Sequence, residues 1–267
     1  MAITASLHIV TGLREGITYL KKSFCTTPFK VANITEDKKA TTLQLMLMSS
    51  SPGILDGDRY EMKIDLEPGT SLQLQTQSYQ RLYHMQQGAS QNLEVRLGEG
   101  ASFCFLPHPS VPHASSSFIT KNKFYLAKNC SLIFGEVLTC GRKLNGEAFL
   151  FSKYHSITEV FICDKLVLKE NLLIAPATID VNTIGQLEGY THQASLIYQD
   201  EHGAIKTISP LINELLSIQN DITFGISTTP VNGLVVRILG QKAEQLHECL
   251  KGIAGLIGSP VAGVQEK

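Results

Sequence analysis

Leu66-Glu67-Pro68-Gly69-Thr70-Ser71-Leu72-Gln73-Leu74 is followed by Leu97-Gly98-Glu99-Gly100-Ala101-Ser102-Phe103-Cys104-Phe105, and then by Leu126-Ala127-Lys128-Asn129-Cys130-Ser131-Leu132-Ile133-Phe134. The three segments share one pattern: an apolar residue, two spacers, Gly or Asn, two more positions, then apolar-x-apolar. Gly and Asn tolerate a positive φ better than other residues. Each unit therefore reads as strand, tight turn, strand. The leading leucines are 31 and 29 residues apart. A period near 30 built from short strands predicts stacked coils or stacked hairpins. The bland alternative is a chance echo of an ordinary hairpin. The expected fold is mainly β: a β-helical or layered β body of short strands, with two helices near the C-terminus.

The flanking sequence agrees. Leu43 to Leu47, Tyr60 to Ile64 and Leu93 to Leu97 alternate apolar and polar residues, so positions i and i+2 share a face. No amphipathic helix of useful length precedes about residue 209. There Ser209-Pro210 reads as an N-cap followed by a first helical position, which predicts a helix over about 210–218. Strands are expected over 221–227 and 233–239. From Gln241, the spacing of Ala243, Leu246, Leu250, Ile253 and Ile257 predicts a helix over about 241–257. We expect one domain over 1–258 and a flexible tail over 259–267.

The chain has 267 residues, with 23 Lys+Arg against 24 Asp+Glu; 18% of its residues are charged and 43% hydrophobic. Soluble domains run near ~25% charged, so this chain is poor in charge. A near-neutral balance offers no field for a phosphate backbone, which argues against nucleic-acid binding. The apolar share argues against disorder. No stretch approaches the ~18 apolar residues of a membrane span, and Met1 to Gly16 shows no basic region followed by an apolar run. The six cysteines are scattered with no CxxC pair. Buried free thiols in a reducing cytoplasm are expected.

Enzyme signatures are missing: there is no GxGxxG, P-loop, HExxH or GxSxG. His108 and His113 lie five apart in a loop stiffened by Pro107, Pro109 and Pro112. They are the candidate metal ligands, although no Cys or acid adjoins them in sequence, and incidental surface histidines are the alternative. Two other clusters are denser. Asp58 and Arg59 follow a run of small and turn-forming residues; a capped turn with Asp58 accepting backbone N–H bonds is the simple reading. Glu136 stands inside an apolar run, costly if buried unpaired. Pairing with Arg142 or Arg59 is the structural reading; a polar channel or a partner contact is the functional one.

Four motifs in order resemble the urease accessory protein UreD (UreH) family. They are Gly53-x-x-x-Gly57-Asp58; Leu74-x-Thr76-Gln77 followed by Arg81-x-Tyr83; Leu106-Pro107-x-Pro109-x-x-Pro112; and Glu136 followed by Gly141-Arg142 and Gly146-Glu147. The resemblance implies a non-catalytic β-helical scaffold that binds apo-urease. Through a UreF-like protein, it would recruit the UreG-like GTPase that delivers nickel to the urease active site. It also implies an internal tunnel handling nickel transiently, with no tightly bound cofactor. Asp58, Arg59, Gln77, Glu136, Arg142 and Glu147 would line that tunnel or dock partners. Two readings compete: a metal-dependent β-fold enzyme using His108 and His113, and a generic β-solenoid interaction module. On the scaffold reading, the charge-poor surface corresponds to docking faces.

Overall fold

The computed structural model describes residues 3–37 and 39–258. The chain enters as a hairpin, β1 (Thr4–Arg14) and β2 (Ile17–Cys25), followed by β3 (Phe29–Asn33) and β4 (Thr42–Ser49). It then winds through three coils. The first is β5 (Arg59–Leu66), β6 (Ser71–Thr76) and the short β7 (Gln80–Leu82). The second is β8 (Ala89–Leu97), β9 (Ser102–Leu106) and β10 (Ser110–Pro112). The third holds β11 (Ser117–Leu126) and β12 (Ser131–Thr139). A further hairpin follows, β13 (Lys153–Ile162) and β14 (Lys165–Ile174), and then β15 (His192–Asp200). The chain ends with helix α1 (Ile205–Ser217), β16 (Ile222–Thr229), β17 (Gly233–Gly240) and helix α2 (Ala243–Gly258).

The coils build two facing sheets. In the first, β1, β5, β8, β11 and β13 run parallel, with β2 and β14 antiparallel at the edges. In the second, β4, β6, β9 and β12 run parallel; β3 closes one side, and β15, β17 and β16 extend the other, all antiparallel. Parallel neighbours need a long crossover. Here the crossover is a visit to the opposite sheet, which is why the period is near 30. The repeat read from sequence is a spatial stack: Leu66 pairs with Leu97 and Leu97 with Leu126, while Leu72 pairs with Phe103 and Phe103 with Leu132. The turn residues Gly69, Gly100 and Asn129 have φ of 71°, 68° and 59°.

Inward residues of both sheets form the main core, with Ile64, Val95, Phe124 and Val160 in one fully buried row. Outward residues of the first sheet are polar: β5 presents Arg59, Glu61 and Lys63 to solvent. The second sheet hides the outer face of β9, β12, β15 and β17 under the helices. Ile208, Ile212 and Leu216 of α1, with Leu246, Leu250 and Ile253 of α2, pack on a surface that includes Ile133, Val137, Leu196 and Val236. The approach is close. A Cβ on Gly135 would lie 2.8 Å from the Leu106 side chain and 2.9 Å from that of Leu250.

The helix expected over 210–218 begins instead at Ile205, with Pro210 inside it. Burial of Ile205 and Ile208 carries the helix further upstream. Helix α2, expected over 241–257, runs 243–258. The tail expected over 259–267 lies outside the described residues.

Candidate functional site

β9 ends at Leu106, so its pairing with β12 stops at Phe134 with Phe105. β12 continues past that point paired with β15 and, at Leu138, with β10, and Glu136 is its next inward residue. Facing it, the first sheet carries an inward row that is polar instead of apolar. Tyr60 pairs with Gln91, Gln91 with Thr120, and Thr120 with Ser156. The next row contains Asn122 paired with Thr158. Short strands on one side and polar rows on the other leave a cleft of about 120 Å³. It runs from the exposed rim residues Pro52, Gln77 and Ser78 to Glu136 and Tyr154 inside.

The polar side chains satisfy one another. Gln80 Nε2 donates to Gln91 Oε1 at 2.9 Å, and Ser110 Oγ donates to Gln80 Oε1 at 3.1 Å. Asn122 Nδ2 donates to Thr158 Oγ1 at 3.0 Å. Ser156 Oγ lies 3.0 and 2.9 Å from the two Glu136 carboxylate oxygens. Glu136 has no cationic partner within ion-pair distance among the described residues. The residue is half-buried and lines the cleft. Burial pushes its pKa up to about 7, with Ser156 pulling the other way and the charge of Glu170 adding to the rise. Burial also raises Tyr154, which Glu136 reinforces, and pushes Tyr60 up to about 12 with help from the charge of Asp58.

The structural pairing expected for Glu136 does not form. Arg142 Nε donates to Glu147 Oε2 at 2.9 Å, and a second Arg142 nitrogen bonds Glu147 Oε1. The pair sits in the β12–β13 loop, where Arg142 holds the Glu147 carboxyl below its usual range. Arg59 points outward from β5. Asp58 is fully buried, and its carboxylate accepts the backbone N–H groups of Ile3 and Leu55, both at 2.9 Å. This is the capped turn. Asp58 meets the cleft only through Tyr60, whose hydroxyl lies 3.4 Å from Asp58 Oδ2. Gln77 lines the rim.

The two candidate metal ligands have different ring partners. His113 packs edge-on against Tyr83, with ring centres 4.8 Å apart. His108 lines the rim of the cleft and faces His247 of α2, with ring centres also 4.8 Å apart. Burial lowers the pKa of all three histidines. Among the described residues, no group of three or more His, Cys, Asp and Glu side chains is placed to hold a metal ion.

Sequence reasoning missed Tyr60, Gln91, Thr120, Asn122, Tyr154 and Ser156. A signal for the central row was present. Tyr60, Gln91, Thr120 and Ser156 each stand six residues before the stacked Leu66, Leu97, Leu126 and Ile162. Four polar or half-polar residues at one repeat position, on the inward face, mark a polar row in an apolar core.

The sequence matches the family described as UreD urease accessory protein over residues 4–266. The chain belongs to the UreD urease accessory protein family. A urease accessory protein UreD of Flavobacterium johnsoniae is 49% identical over 251 residues, covering 92% of this chain and 90% of that one. Those of Acetivibrio thermocellus and Haemophilus influenzae are each 33% identical, covering 94% and 96% of this chain and 96% and 100% of their own. Membership of the UreD family supports a role in urease maturation. Among the described residues, no helix is long and apolar enough to cross a membrane.

Proposed function

We propose that this UreD-family chain is a non-catalytic scaffold of urease maturation. In this reading it binds the apo-urease subunits and a UreF-like protein, recruits the UreG-like GTPase through that partner, and gives nickel a passage along its internal cleft in the cytoplasm. The observation that carries the proposal is Glu136. An acid held in a polar cleft with hydroxyl and amide neighbours and no cationic counter-ion can take a divalent cation by releasing its proton near neutral pH. Oxygen and amide donors hold a borderline cation weakly, which suits transfer better than storage. Nickel is cargo here, not a resident cofactor.

The surface supports the docking half of the reading. Charge is concentrated on the outer face of the first sheet, where His8 and Lys63 lie 2.8 and 3.5 Å from Asp65. The loop bearing the Arg142–Glu147 pair instead exposes Leu144 fully and Leu150 by 56%. Exposed apolar side chains beside a fixed ion pair suit a protein contact.

The test is co-expression with the apo-urease subunits and the UreF-like protein, followed by pull-down. A ternary complex is expected, and failure to capture either partner overturns the scaffold reading. In cells with limiting nickel, Glu136→Gln should lower urease activation at least tenfold while the complex still forms. Normal activation by that variant would remove the cleft from the passage.

A further inference from the structure

His247 is 4% exposed, and its Nε2 atom has no hydrogen-bond partner. A buried ring nitrogen left unpaired is costly and calls for an explanation. Its ring packs against that of His108, with ring centres 4.8 Å apart. Across from it, Nδ1 of His108 lies 3.1 Å from Thr76 Oγ1. The backbone N–H of His108 donates to the same oxygen at 2.8 Å, which fixes the residue on its loop. His108 thus has Nδ1 occupied by Thr76 at the end of β6, while His247 keeps Nε2 unpaired on α2. This is the arrangement that orients an imidazole to offer Nε2 as a ligand.

We propose that His108 and His247 form an open two-imidazole site for a borderline divalent cation, Ni²⁺ or Zn²⁺, joining α2 to the rim of the cleft. Imidazole nitrogens select such cations over Mg²⁺ and Ca²⁺. Two protein ligands leave the remaining positions to water, so the site binds reversibly and does not trap the ion. The surrounding charge comes from α2: Glu244 and Glu248 favour a cation, and Lys251, bonded to Glu248 at 2.9 Å, opposes it. Tyr79 of the rim donates to Glu244 at 2.9 Å and closes the outer side. Binding displaces only water and forms no covalent bond within the protein. The identity of the physiological cation rests on the proposed function, whereas the site itself does not.

The experiment titrates purified full-length chain with NiCl₂, and separately ZnCl₂, by competition against a chromophoric chelator, without urease. One saturable site per chain is expected, weakened at least tenfold in both His108→Asn and His247→Gln. His108 is only partly buried, so its variant is the one expected to keep the fold, as circular dichroism would check. Added Ni²⁺ should also protect His108 from diethyl pyrocarbonate in the unmutated chain, which needs no variant. Absence of saturable binding, or binding unchanged in a folded His108→Asn, overturns the proposal. Glu136→Gln should bind Ni²⁺ here as tightly as the parent. Loss of activation in Glu136→Gln without any cation binding by the parent would remove the histidine site and leave the passage standing.

Discussion

Two glutamates eleven residues apart meet opposite surroundings. Glu147 lies in the β12–β13 loop, where Arg142 grips it with two nitrogens and water reaches both partners. Its carboxyl is held below the usual range, and it stays charged. Glu136 lies in the cleft between the sheets, with a serine hydroxyl as its donor, and burial lifts it to about 7. The loop stores a fixed ion pair; the cleft stores a carboxyl whose charge is negotiable at neutral pH. The contrast teaches that neighbouring acids acquire separate tasks from surroundings that strand pairing decides.

The strongest way to break this contrast is pH. Burial raises the folded-state pKa of Glu136 above its ordinary 4.5. Between pH 4.5 and 7 the native chain therefore holds a proton that the unfolded chain has released. Stability falls as pH rises through that window, by about 3 kcal/mol once pH exceeds 7. Glu136→Gln should flatten this slope and unfold at higher temperature than the parent at pH 8. A slope unchanged in the variant, followed by circular dichroism melts, would show that Glu136 is not the titrating group.

Asp58 sharpens the contrast from a third direction, since it is buried but saturated by backbone donors. Asp58→Ala strands the N–H groups of Ile3 and Leu55 and should cost about 2–4 kcal/mol in urea unfolding. A loss of activation in that variant would first have to be separated from this loss of stability. Ser156→Ala removes the donor to Glu136. It should move the midpoint of the pH dependence upward, and an unmoved midpoint would mean that water replaces the hydroxyl. The smallest effect belongs to the exposed pair. Arg142→Ala should shift the unfolding temperature by about 2 °C or less. If the loop docks a partner, the same variant should weaken the pull-down without that shift growing.

Legibility followed periodicity. The repeat at Leu66, Leu97 and Leu126 showed the coil and even its turn residues, because stacking places equivalent positions in register. The C-terminal helices were visible from spacing, but Ser209-Pro210 misplaced the start of α1: a local capping signal lost to burial of Ile205 and Ile208. Asp58, Glu136 and Gln77 were singled out for chemistry, and two of the three line the cleft. The role of Arg142 as partner of Glu136 did not survive, since Glu147 is nearer and on the same loop. His247 read as a single histidine with no ligand partner, because on a helix it is one more face residue; only the packing of α2 on the second sheet brings it to His108.

The sequence by itself determined the coil, the inward faces and the family. These depend on a period of 2 within strands and near 30 between them, both written in residue order. Tertiary structure decided what each acid and histidine does. Strand length set where β9 stops and the cleft begins, register set Ser156 opposite Glu136, and helix packing set His247 against His108. Those distances join residues up to 139 positions apart, and charge in a protein is governed by what lies within a few ångströms, whatever its place in the chain.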